Sequence, residues 1–279
     1  MMSNMDENRP PYSLKALGTA GAPLRLPGRG AWPGLDDRLV EPVVTRDEMI
    51  GGVRVVASPA HPPHGDQHTD LDYLLRAHAA PGYRASTDLL TRHDEDSDFA
   101  SDTCLRKEGR DPETGGRYLE EIAFEVVSEQ NQGYVTEKAR RMHRRGVRRI
   151  FTIWIKNQRV CEWSPERQSW SPLDRAFQIE DPCLTRPLEV AALLDATLAD
   201  NAVAEALAAK GNPVIQEREA EAEARGEARA ILKVLEARGI AVSEAQAQEI
   251  LGCRDLDRLD RWLRRAIQVS SAGELMSEI

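Results

Sequence analysis

A carboxylate inside an apolar strand demands a reason, because an unpaired interior charge costs several kcal/mol. Glu125 sits in such a run, Ile122-Ala123-Phe124-Glu125-Val126-Val127. Strand alternation puts Phe124 and Val126 on one face and Glu125 and Val127 on the other, so Glu125 is expected at a sheet edge or in a cleft. Asp102, at the start of the preceding strand and across a hairpin, is expected to reach the same cleft. Two converging carboxylates repel, and a hard, oxygen-preferring dication relieves that repulsion. Mg2+ is the natural occupant, with Mn2+ as its substitute. Such an ion acidifies bound water and polarises a phosphate oxygen, which is the chemistry of phosphodiester hydrolysis. A nearby ammonium would stabilise the charge that builds on phosphorus. Lys138, on the following helix, is the best candidate.

Other residues compete for attention. Glu48 is a secondary candidate for a third acid, with a solvated turn beside Gly51-Gly52 as the equal alternative. His64 and His68 lie near the first helix, where a lone histidine is more often a surface or capping residue than a ligand. Asp94, Glu95, Asp96 and Asp98 crowd together as an exposed acidic loop. Arg140, Arg141, Arg144, Arg145 and Arg148, with His143, form a basic stretch suited to phosphate contacts or, equally, a solvated helix face. Trp154, Trp163 and Trp170 are expected to be packing residues. For the main constellation, the plain alternative is an ion pair between Glu125 and Lys138 with Asp102 capping a turn.

The elements that must position these groups follow from pattern. Residues 1–36 are rich in Pro and Gly and carry no periodic apolar face, so an irregular arm is expected. Leu71, Leu74 and Leu75 mark an amphipathic helix over 65–78. Strands are expected over 83–91, 102–106 and 122–127, with the turn Asp111-Pro112-Glu113-Thr114-Gly115-Gly116 joining the last two. A helix over 135–145, stopped by Gly146, leads to a β-forming run over 149–155. Helix, three strands, helix, strand is the order of an α/β domain whose mixed sheet is flanked by helices.

Beyond Pro187 the chain becomes all helical, with 188–209 read as one helix and 216–229 as a charged one. The expected organisation is a domain over 37–187, a charged helical linker over 188–230 and a small helical module over 231–279. Ser243 with Gln246 fits a capping box for a helix over 244–251. The last helix, 256–267, has Leu256, Leu259, Leu263, Ala266 and Ile267 on one face. These amphipathic helices make 188–279 a candidate for self-association or protein docking.

With 30% charged and 41% hydrophobic residues, the chain fits neither the disordered nor the transmembrane class, and a cytoplasmic protein without a membrane span is expected. Four scattered cysteines indicate neither a disulfide framework nor a zinc site. The net charge of −9 means that nucleic-acid contact must come from a local basic patch.

Four stretches carry a resemblance: Ser97-Asp98-Phe99-Ala100-Ser101-Asp102, residues 118–128 around Glu125, Thr136-Glu137-Lys138, and Gly146-Val147-Arg148-Arg149. In these the chain, over about 39–163, resembles the Uma-type family of restriction endonucleases within the PD-(D/E)xK nuclease-like superfamily. The resemblance implies a restriction-endonuclease-like fold and a Mg2+-dependent endonuclease acting on DNA. It also implies Asp102 and Glu125 as metal ligands, joined by the main-chain carbonyl of Val126. Two departures stand out: Ser101 replaces a proline, and Val127 occupies the place of the parent fold's lysine. In this family a lysine on the next helix substitutes, and Lys138 matches that location. The alternative is a catalytically inactive module of the same fold that binds nucleic acid or a protein partner through its basic helix and helical tail.

Overall fold

The computed structural model describes residues 47–56, 62–128 and 130–277. The expected irregular arm over 1–36 lies outside them. The fold is α/β, with an eight-stranded mixed sheet flanked by helices. The chain divides into two compact units between Lys210 and Gly211.

The first unit runs β1 (Asp47–Ile50), β2 (Val53–Val56), α1 (Pro62–His78), β3 (Tyr83–Asp94), β4 (Ser97–Lys107) and β5 (Glu120–Val127). It continues with α2 (Gln132–Arg145), β6 (Arg149–Trp154), β7 (Arg159–Ser164) and β8 (Ser169–Pro172). A small two-stranded sheet, β9 (Gln178–Ile179) with β10 (Leu188–Glu189), precedes α3 (Ala196–Ala209). The β5–β6 pair is parallel, joined across α2, while β3–β4, β4–β5, β6–β7 and β7–β8 are antiparallel.

Alternation in β5 sorts the core as expected. Ile122, Phe124 and Val126 pack with Leu71, Leu74 and Leu75 of α1 and Ala199, Val203 and Ala206 of α3. Ala123, one residue out of phase, packs with Ala139 and Met142 of α2, and Trp163 joins that core with Trp170 edge-on to it. Helix α2 ends where expected, because Gly146 at φ 118° takes a left-handed turn that only glycine adopts freely, and its N–H returns to the carbonyls of Met142 and His143.

Four expectations need correction. Helix α1 begins at Pro62, since proline costs nothing in a first turn whose N–H groups lack helical partners. Asp102 lies inside β4 and not at its start. Asp98 is not part of an exposed loop: it is buried and forms a two-pronged pair with Arg92, at 2.7 and 2.8 Å. Residues 188–209 are not one helix, because Leu188 pairs with Ile179 and the Asp195 side chain caps the amides of Thr197 and Leu198, fixing a later helix start.

The second unit is all helical: α4 (Pro213–Ala237), α5 (Glu244–Gly252), α6 (Leu256–Ala266) and α7 (Ala272–Met276). Ala224, Ala228, Ile231 and Leu235 of α4 recur at helical spacing and pack on Ile250, Leu259, Trp262 and Leu275. That stripe carries α4 unbroken through Gly226, whose cost in a helix interior is only about 1 kcal/mol. The Ser243–Gln246 capping box forms reciprocally. Residues 188–230 are therefore shared between the units, with α3 in the first core and α4 in the second. Among the described residues, no helix is long and apolar enough to cross a membrane.

Candidate active site

The site lies where β4 parts from β5. Strand β3 pairs with β4 along nearly its whole length, whereas the β4–β5 ladder runs from Arg106 only to the pair Thr103–Phe124. Past that pair, β4 contacts β1 at Asp98. Residues 99–102 therefore lack a strand partner on that edge, and side chains supply what a ladder would have given. Glu48 Oε1 accepts the Ala100 N–H at 3.0 Å, and Lys138 Nζ donates to the Ala100 carbonyl at 2.7 Å. Asp102 Oδ2 accepts the Val126 N–H at 2.6 Å.

Three of the expected side chains and Glu48 thus gather at one gap. Lys138 Nζ donates to Glu125 Oε2 at 2.8 Å and stands 3.8 Å from Glu48 Oε1 and 5.2 Å from the centre of the Phe99 ring. Glu48 is held on its other oxygen by the Tyr134 hydroxyl, at 2.8 Å. The turn reading of Glu48 is therefore replaced by a place on β1 and a half-buried anchoring role. Half of the plain alternative is present as well, since Glu125 and Lys138 form an ion pair, whereas Asp102 caps no turn and takes an N–H of strand β5.

Electrostatics separate the groups. Burial pushes the Glu125 carboxyl up to about 8; Lys138 opposes that rise, while Asp102 and Glu48 add to it. Burial works against the charge on Lys138, but Glu125 and then Glu48, Tyr134 and Asp102 hold it well above the ordinary lysine value. Lys138 is consequently a fixed cation and not a proton acceptor.

Glu125 Oε1 is buried and has no hydrogen-bond partner. A buried carboxylate oxygen left bare, on a side chain whose neighbours include a second carboxylate, is the arrangement that a hard dication satisfies. Glu125 Oε1, with the Asp102 carboxylate near enough to oppose its ionisation, is thus chemically suited to a divalent ion.

The basic stretch is largely occupied. Arg141 bonds Asp94 at 2.5 Å, Asp96 and Glu137 at 2.8 Å and Ser97 at 2.6 Å, clasping the β3–β4 turn to α2. Arg148 forks onto Asp181 at 2.6 and 2.7 Å. Half-buried Arg145 donates to the Arg92 carbonyl. Arg140 and Arg144 are more open, at 47% and 62% side-chain exposure, although each faces an acid.

Sequence reading missed Tyr134 and Asp88. Tyr134 gave no signal, for it looks like any aromatic in a helix. Asp88 did give one, as a charge within Ser86-Thr87-Asp88-Leu89-Leu90, yet only the β3–β4 register sets it across from Asp102. His68, weighed as a surface residue, lies on α1 with its Nε2 3.0 Å from the Asp102 main-chain oxygen.

No family model matches the chain, and no curated protein matches it. Among solved structures it is similar to a candidate nuclease belonging to DUF820 from Anabaena variabilis ATCC 29413, with 16% identity and a TM-score of 0.46. That likeness covers 55% of this chain and 90% of the other.

Proposed function

We propose that the first unit is a metal-dependent endonuclease that hydrolyses phosphodiester bonds of DNA, with Asp102, Glu125 and Lys138 as its working residues. The observation that carries this reading is the meeting of these three side chains at the gap between β4 and β5, with Glu125 Oε1 bare. The resemblance to the Uma-type family agrees with it.

In this reading Asp102, Glu125 and the Val126 carbonyl hold Mg2+ or Mn2+, which supplies Lewis acidity and an acidified water. Asp102 is fixed by the Val126 N–H and Glu125 by Lys138, so neither carboxylate must reorganise when the ion binds. Lys138, keeping its proton, faces the charge that develops on the phosphate and orients the attacking water. Glu48 and the Ala100 carbonyl hold the ammonium in place.

The test is cleavage of plasmid and linear DNA with Mg2+ or Mn2+, repeated with Asp102→Ala and Glu125→Ala. Loss in both variants is expected, and cleavage by both at the wild-type level rejects the assignment. The second reading, a non-catalytic module of this fold, draws on the lysine arriving from α2 instead of β5. It predicts no metal binding by calorimetry together with salt-dependent DNA binding.

A further inference from the structure

We infer that His68, Asp88 and Asp102 form a second cation site, one suited to a first-row transition-metal ion such as Mn2+, and that it shares Asp102 with the proposed centre. One ligand atom from each of the three lies within 4.8 Å of the others. Ligands on opposite sides of one small dication at ~2.1 Å stand ~4.2 Å apart, so the group is close to coordinating spacing.

The surroundings of His68 point the same way. Its Nδ1 faces Asp72 Oδ2 at 3.6 Å, and Asp72 is itself tied to the Thr103 hydroxyl at 2.5 Å. A carboxylate behind the imidazole is the arrangement that orients metal-ligating histidines, because it holds the proton on Nδ1 and frees the Nε2 lone pair. Nε2 then faces oxygen only, with the Asp102 carbonyl at 3.0 Å and Asp88 Oδ1 at 4.0 Å. With its proton on Nε2 the ring donates to the Asp102 carbonyl; with the proton on Nδ1, towards Asp72, the Nε2 lone pair is free for a metal ion.

A second observation lies at Asp102 itself. The neighbouring Glu125 is 5% exposed and keeps a bare Oε1, so a cation-seeking oxygen is already present beside the shared ligand. The β3–β4 register, unshifted between the pairs Thr87–Thr103 and Leu89–Ser101, sets Asp88 opposite Asp102. A nitrogen ligand shifts preference away from Mg2+, which favours an all-oxygen shell, towards Mn2+ and its neighbours.

The inference uses the position of Asp102 from the proposed function but not the hydrolytic step. The test is Mn2+ titration of the full-length protein followed by electron paramagnetic resonance, with pulsed detection of nitrogen coupling and no nucleic acid present. Two bound ions are expected for the wild type, with a nitrogen coupling that survives Glu125→Gln and His64→Gln and disappears in His68→Gln. Asp72→Asn is expected to weaken that ion about 10-fold or more. Asp88→Asn, altering an exposed side chain, gives the same loss of affinity if His68→Gln fails to fold. Bound Mn2+ without nitrogen coupling, or no Mn2+ binding at all, overturns the inference. A retained coupling in a protein that cleaves no DNA sinks the nuclease reading alone.

Discussion

Asp102 Oδ2 accepts the Val126 main-chain N–H at 2.6 Å, so one carboxylate both closes the gap in the sheet and faces the proposed ion. The two roles can be separated. Asp102→Asn keeps an acceptor for that amide, whereas Asp102→Ala leaves it bare, at a cost of about 1–3 kcal/mol. Urea unfolding is expected to rank the alanine variant well below the asparagine one, while calorimetry finds Mg2+ and Mn2+ binding impaired in both. Equal stabilities would remove the bridging role.

Lys138→Met leaves Glu125 buried beside Glu48 and Asp102 without its cation. Breaking one side of a buried pair costs about 3–5 kcal/mol. Adding Glu125→Gln in that background is expected to recover most of the loss, with DNA cleavage absent throughout. A double-mutant cycle in urea checks this, and additive penalties would contradict the coupling.

His78 and His93 are both buried, and burial is the first cause holding each imidazole below its ordinary 6.5. For His93, Lys138 pushes in the same direction. The unfolded chain therefore takes up protons first as pH falls. Stability is full above about pH 6.5 and declines below it, by up to ~1.4 kcal/mol per pH unit for each imidazole. Replacing His93, stacked on Phe99 at 4.0 Å, by Phe is expected to flatten the slope between about pH 6.5 and 5. An unaltered slope in denaturant titrations refutes this.

Arg141 is bound up in the β3–β4 turn, while Arg140 and Arg144 are open. Arg141→Ala is expected to lower Tm. Arg140→Ala and Arg144→Ala are expected to spare Tm and to reduce the salt dependence of DNA binding, by about 0.9 in logarithmic slope for each lost phosphate contact. Salt slopes that match the wild type would dismiss this face as the DNA-binding surface.

The proposed role of the tail in self-association calls for a cut after Lys210, because α3 belongs to the first core and a cut after Pro187 would open it. Residues 1–210 are expected to fold and to have fewer protomers per particle than the full chain. Light scattering that finds the same number in both rejects an oligomerising tail.

Much of the scaffold was legible because it follows local rules. The period of two in β5, the helical stripe of α1, the glycine stop of α2 and the Ser243 capping box are all written in neighbouring residues, and each appears in the fold. Legibility failed where a distant partner decides. Asp98 looked solvated because its counter-charge, Arg92, meets it only across the β3–β4 turn. Leu188 to Ala209 looked like one helix because Leu188 pairs with Ile179, which lies outside that stretch.

The sequence by itself determined that Glu125 needed a partner, since an apolar strand cannot solvate a carboxylate, and it named Lys138 and Asp102 as the groups to look for. Only the tertiary structure decided that β4 is parted from β5 before Thr103. That parting leaves backbone groups for Glu48, Asp102 and Lys138 to satisfy, and it draws His68 and Asp88 to the same place. The physical reason is that strand divergence depends on what the whole sheet pairs with, and no short window of residues encodes it.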